Sequence, residues 1–349
     1  MVRTIPLLLS TALCLGLSTA AQAAGPNVVV SIKPIHSLVA AIMQGVGEPS
    51  LIVEGGASPH TYSMKPSNAA ALQDADVVFW VGHGLEAFLE KPLETLGGKA
   101  KVVELEEAAG LETLPFREGG AFEAHDDGDE GHAGHAHEAE GAHDHQAEND
   151  KHDEHGHNHA DADAAEAEEG HDHAHGGTDM HLWLDPMNAK AMAKEIAATL
   201  EAADPQNAAA YKANLEALDA RIDQLDTEIA GLLAPVKEKP FVVFRDAYQY
   251  FEKHYGVRVA GSITVSPETL PGADRLSQIR AKVTDLGATC VFAEPQFEPK
   301  LINVVIEGTS AKAGTLDPEG GALDAGPDLY FDLMKGIGTS LRECLSSGS

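Results

Sequence analysis

The stretch DPQNAAAYKANLEALDARIDQLDTEIAGLLAP, residues 204–235, decides the architecture. Asp204 before Pro205 is an N-cap followed by proline at the first helical position, where the missing N–H costs nothing. Tyr211, Leu215, Leu218, Ile222, Leu225, Ile229 and Leu232 then recur in alternating steps of four and three, one apolar stripe running as far as Pro235. The spacing predicts a single helix of about 30 residues, a rod of roughly 45 Å. Such a rod between two α/β halves serves as an inter-domain backbone; the alternative is a long helix packed inside one domain.

Working outward, both flanks alternate short β-rich runs with helical patterns. Before the rod, strands are expected at Val28–Ile32, Leu51–Val53, Val77–Val81 and Lys101–Leu105, with helices at Pro34–Gln44, Pro66–Gln73, Leu85–Leu96 and from Asn188 to about Ala202. After it, strands at Phe241–Phe244, Val257–Ile263, Thr289–Ala293 and Lys312–Leu316 alternate with helices at Ala247–Tyr255, Ala273–Leu286, Lys300–Glu307 and Asp328–Cys344. Strands alternating with helices of this length predict an α/β fold whose mainly parallel sheets are covered on both faces.

At the amino end, Arg3, the apolar run Ile5–Leu17 and Ala21-Gln22-Ala23 have the form of a signal peptide over residues 1–23 with cleavage near Ala23. Secretion out of the cytoplasm and a soluble mature chain of roughly 325 residues, two domains by length, are the expectation. Cys290 and Cys344 would then meet an oxidising compartment, where two thiols read first as one disulfide; two buried free thiols are the alternative. The formal net charge is −31, concentrated between His125 and His175, where 17 acidic residues face the single Lys151. That balance excludes nucleic acid and anionic membrane surfaces as partners and favours cations.

From Glu118 to Asp179 large apolar residues almost vanish, so the segment has little to bury and is expected to be a disordered insertion. It holds 13 of the 18 histidines, many spaced as His-x-His: His135 with His137, His143 with His145, the triplet His155, His157 and His159, and the triplet His171, His173 and His175. Imidazoles at alternate positions let a flexible chain gather several around one ion, a low-affinity metal collector. A tighter site belongs in ordered structure. His60, after a strand end, and His181, before the apolar strand-like run Leu182-Trp183-Leu184, are either ligands or loop histidines bonded to backbone; Asp317, closing a strand, is a ligand or a plain turn residue. His36, His83 and His254 default to structural or surface roles, and Glu294 either supports the site or ends a strand by pairing with arginine.

The segments GASPHTYSMKPS (56–67), DADVVFWVG (74–82), HLWLDP (181–186), FRDAYQYFEKHYGV (244–257), PGADRLSQIR (271–280), CVFAEPQF (290–297) and GTLDPEG (314–320) resemble the zinc-specific substrate-binding proteins of ABC importers. The likeness covers nearly the whole mature chain. It implies two α/β lobes joined by one long rigid helix: 24–203 with the insertion at 118–179, the helix at 204–235, and 236–349. It also implies a Cys290–Cys344 disulfide and Zn²⁺ held between the lobes by His60, His181 and Asp317. The implied location is the periplasm, the implied partners are a membrane permease with its cytoplasmic ATPase, and the implied working form is a monomer.

One position departs from that family. Where zinc-binding members carry histidine before Asp-Ala-Tyr, this chain has Arg245, which has no lone pair and cannot ligate zinc. The consequences open at this point are a three-residue site completed by water, a ligand from the insertion, or an Arg245–Asp317 pair that impairs the site. A zinc hydrolase is disfavoured, because neither His-Glu-x-x-His nor Gly-x-Ser-x-Gly occurs. A pure metal buffer or adhesin, or a manganese-binding homologue, is the remaining alternative.

Overall fold

The computed structural model describes residues 25–117, 122, 177–264, 272–296 and 300–346. The expected signal segment and most of the expected insertion therefore lie outside the described residues. So do all of the expected collector histidines: His135, His137, His143, His145, His155, His157, His159, His171, His173 and His175. Their reading as low-affinity metal ligands stays an expectation drawn from spacing alone. No helix among the described residues is long and apolar enough to cross a membrane.

Two four-stranded parallel sheets organise the chain. The first contains β1 (Val28–Val30), β2 (Ser50–Leu51), β3 (Val77–Trp80) and β4 (Lys101–Glu104) in the order β2-β1-β3-β4. The second contains β5 (Pro240–Arg245), β6 (Arg258–Thr264), β7 (Cys290–Ala293) and β8 (Lys312–Thr315) in the corresponding order β6-β5-β7-β8. Every strand pair is parallel, with Val29 opposite Val78 in one sheet and Val242 opposite Val291 in the other. The central strands β1 and β3 are buried along their whole length, which is why they read as unbroken Val-rich runs.

Helices α1 (Lys33–Ile42), α2 (Pro66–Asp74), α3 (Glu90–Leu96) and α4 (Pro186–Ala203) belong to the first lobe, and α6 (Gln249–Tyr255), α7 (Ala273–Asp285) and α8 (Lys300–Ile306) to the second. Between them runs α5 (Ala208–Leu233), 26 residues, about 39 Å long. It buries Tyr211, Leu218, Ile222, Leu225, Ile229 and Leu233. The helix starts later than its Asp-Pro signal because Asp204 ends α4 instead, its Oδ2 accepting from Asn207 Nδ2 and Tyr211 Oη.

The last helix, α9 (Leu329–Ser346), crosses back and packs against α1 and α5 as well as β8. Gly338 permits close approach there: a Cβ would lie 3.3 Å from Ile229 Cγ2. A disulfide joins Cys290 of β7 to Cys344 of α9. One apolar core consequently runs through β1, β3, α1, α4, α5 and α9 into the near face of the second sheet. Among the described residues, only the far face of that sheet forms a separate cluster, including Val242, Phe244, Ile279, Val283, Val291 and Val305.

Three local expectations are corrected. The expected helix Leu85–Leu96 is broken into a 3₁₀ turn, Ala87–Leu89, and α3. Its start is diverted because the wholly buried Glu86 carboxylate turns back to accept from Ser31 Oγ and the Val81 and Gly82 amides. The run Leu182–Leu184 is a 3₁₀ turn, not a strand, closed by the Leu184 amide donating to His181 O and stopped by Asp185, which caps α4 through the Met187 amide. Asp179 is not part of a disordered stretch. Thr178 pairs antiparallel with Pro115, and Asp179 is fully buried.

Candidate metal centre

Open parallel sheets place their crevices beyond the carboxyl ends of the strands, and the second lobe's side of the site is built there: Arg245 ends β5, Glu294 follows β7, and Asp317 and Glu319 follow β8. The first lobe answers with two histidines. His60 sits in a 3₁₀ turn, Pro59–Thr61, whose N-cap Ser58 accepts from the His60 amide. His181 is buried, its Nδ1 2.7 Å from Asp179 Oδ1, which also accepts from the His181 amide at 3.0 Å. A carboxylate on Nδ1 directs the proton there and leaves the Nε2 lone pair facing the cleft.

Among the described residues, His60, His181 and Glu319 form a group whose potential ligand atoms all lie within 4.8 Å of one another. Asp317 is placed otherwise. Its two oxygens accept from the Gly321 and Ala322 amides at 2.9 and 3.0 Å, so it shapes the turn that carries Glu319.

Arg245 lies in the middle of this group, 3 % exposed. Its Nη1 is 2.8 Å from His60 Nε2 and 2.9 Å from His181 Nε2. Its Nε donates to Glu294 Oε2 at 2.8 Å, and its Nη2 donates to Glu319 Oε1. The arginine thus pairs with Glu294 and Glu319 rather than with Asp317. Burial works against its charge, but the two carboxylates hold the guanidinium above its ordinary value. Burial pushes the Glu294 carboxyl up to about 7 even beside that charge. At Asp179 burial also pushes upward, but the charge and hydrogen bonds of His181, with a bond from Gln249, outweigh it and leave the carboxyl below its usual range. Glu294 Oε1 and Glu319 Oε2 are buried without a hydrogen-bond partner, so the cluster holds more acceptor capacity than the guanidinium uses.

The lobes meet tightly around the site. Lys33, at the start of α1, donates from Nζ to the Gly320, Gly321 and Leu323 carbonyls, and Trp183 Nε1 donates to Pro318 O at 2.7 Å. A Cβ on Gly321 would lie 3.4 Å from Gly56 Cα, so the two loops touch backbone to backbone. Beside them Arg117 pairs with Asp246 and Glu252, and Tyr250 Oη donates to Asp179 O. Lys33, Asp179 and Glu319 were missed in the sequence. Only Asp179 had a local signal, a carboxylate two residues before a candidate ligand histidine.

Two imidazole nitrogens and a carboxylate oxygen are a donor set that suits zinc. His36, by contrast, is a buried structural residue with Nε2 on Pro49 O, and His254 lies between Asp185 and Asp226.

Two parallel α/β lobes spanned by one long helix, with donors from both converging in the crevice, define a solute-binding protein of the metal-ion class. The chain belongs to the family described as zinc-uptake complex component A, periplasmic (ZnuA), whose model matches residues 28–344. It is 53 % identical over 320 residues to the high-affinity zinc uptake system protein ZnuA of Brucella suis, covering 92 % of each chain. It is 37 % identical over 348 residues to the ZnuA protein of Paracoccus denitrificans, covering 99 % of this chain and 100 % of that one. A crystal structure of ZnuA superposes with a TM-score of 0.67 at 24 % identity, covering 92 % of this chain and 99 % of the other, which supports the fold.

Proposed function

We propose that this chain is the periplasmic zinc-binding component of an ABC-type high-affinity uptake system, a carrier and not a catalyst, that hands Zn²⁺ to a membrane permease driven by a cytoplasmic ATPase. The observation that carries this reading is the convergence of one ring nitrogen each of His60 and His181 with a Glu319 oxygen, all within 4.8 Å of one another across the lobe boundary. Zinc takes its place among these donors when Arg245 turns aside. Family likeness assigns the carboxylate to Asp317; the geometry favours Glu319, with Asp317 holding the turn. The core shared by both lobes limits release to rearrangements of side chains and loops rather than wide hinge closure.

Zinc titration against a chelator of known affinity tests this reading, comparing the full chain with the double variant His60→Ala, His181→Ala. The expected result is one tight equivalent lost in the double variant; an unchanged set of binding steps would overturn the cleft assignment. Glu319→Ala against Asp317→Ala then decides between the carboxylates.

The arginine in the cleft favours one second reading, a metal buffer in which the histidines of the insertion carry most of the zinc. Because Pro115 and Thr178 pair, a short turn can replace residues 119–176. Loss of nearly all binding in that deletion supports the buffer, and survival of one tight equivalent supports the carrier.

A further inference from the structure

We propose that Arg245 is an internal competitor for the zinc site, a built-in cation that occupies the two imidazoles in the metal-free chain and must be displaced for zinc to enter. This deepens the carrier reading and rests on it. Each imidazole with its Nδ1 proton in place has one in-plane lone pair, at Nε2. In His60 and His181 both point at the same atom, Nη1 of Arg245, at 2.8 and 2.9 Å. A lone pair given to an N–H cannot be given to a metal, so the two occupants exclude one another by stoichiometry. The guanidinium does not deprotonate at accessible pH, so it leaves by moving.

The surroundings provide for that movement. Arg245 is held at Nε by Glu294 from its own lobe, a bond it can keep while Nη1 swings away. Glu294 Oε1 and Glu319 Oε2 already lie buried and unpartnered, so acceptors are ready both for the displaced guanidinium and for the incoming ion. Until then the arginine links the lobes as the metal would: His60 and His181 on one side, Glu294 and Glu319 on the other. The cleft is closed by the chain's own side chain.

The test measures cleft affinity for zinc by chelator competition in the full chain and in Arg245→His, Arg245→Gln and Arg245→Ala. Each is paired with a derivative that also carries His60→Ala and His181→Ala, to subtract other sites. Removing the like charge is expected to tighten histidine-dependent binding about 10-fold in the Gln and Ala variants, and supplying a ligand about 100-fold or more in Arg245→His. Millimolar guanidinium, but not matched sodium chloride, should weaken the site in Arg245→Ala. Should the variants fold poorly, ¹⁵N spectra of the wild-type histidines with and without zinc give the same answer: Nε2 of His60 and His181 must exchange a hydrogen-bonded for a metal-bound signature together. Equal histidine-dependent affinity in wild type and all three variants overturns the competitor and leaves the carrier intact. If no histidine-dependent site appears in any variant, the carrier reading itself fails, and the competitor with it.

Discussion

The two sides of the cleft are built on opposite principles. The first lobe offers preset lone pairs: His60 on a short capped turn, and His181 fixed by the buried Asp179. The second lobe offers charge, with Arg245 between Glu294 and Glu319. One half is therefore arranged to receive a cation, and the other already supplies one. An ordered ligand set and an affinity for metal are separate properties, because the same imidazoles that suit zinc are equally good acceptors for a guanidinium.

The comparison is broken hardest by removing the cation without adding metal. Arg245→Ala in the chelator-treated chain leaves two buried carboxylates facing each other and is expected to cost about 3–5 kcal/mol of stability, read from the urea midpoint. A loss below about 1 kcal/mol would show that the second lobe's charges relax on their own. Next, Cys344→Ser frees α9 from β7 and is expected to cost about 2–4 kcal/mol for a loop of this size. A negligible loss would mean that packing on α1 and α5 alone fixes the helix.

On the first-lobe side, Asp179→Asn keeps the shape but loosens the His181 ring and turns an amide N–H toward one of the donors that Asp179 now accepts from, His181 or Gln249. It is expected to weaken zinc about 10- to 100-fold and to cost about 1–3 kcal/mol of stability; chelator competition and the urea midpoint read the two effects separately. The smallest effect comes from the seam between the lobes. His254 of α6 is held up to about 9, above the ordinary 6.5, by its hydrogen bond to Asp185, with burial opposing and Asp226 adding support. A raised histidine contributes fully below about pH 6.5, and that contribution disappears as pH climbs through 9. Solvent screening limits it to roughly 1–2 kcal/mol. Urea midpoints at about pH 6 and pH 10 should converge in His254→Gln relative to wild type; equal pH slopes would remove His254 from the seam.

Strand positions were legible in the sequence because buried parallel strands are written as short Val-rich runs, and Val77–Val81 can be little else. The long helix was legible from its stripe, though Asp204 turned out to end α4 rather than cap α5. His60 and His181 could be marked as candidates from their places beside a strand end and an apolar run, but their choice as ligands over plain loop histidines rested on the family likeness. Their shared focus could not, since it depends on how loops remote in sequence fold over one another. The carboxylate shows the limit most clearly. Asp317 and Glu319 are two residues apart, and only the turn geometry, with amides of Gly321 and Ala322 on Asp317, decides which one faces Arg245. Leu182-Trp183-Leu184 has strand composition, but the Asp185-Pro186 helix start beside it leaves no room to extend.

The return of α9 across α1 and α5 has a practical consequence for anyone dissecting this molecule. A fragment stopped at residue 235 would leave the faces that meet Tyr330, Met334, Ile337 and Leu341 open to water, and would be sticky rather than monomeric. The eighteen residues of this helix are thus a closing stitch for the chain's first half, so complementation between separately made halves should succeed only when the carboxy-terminal piece carries them.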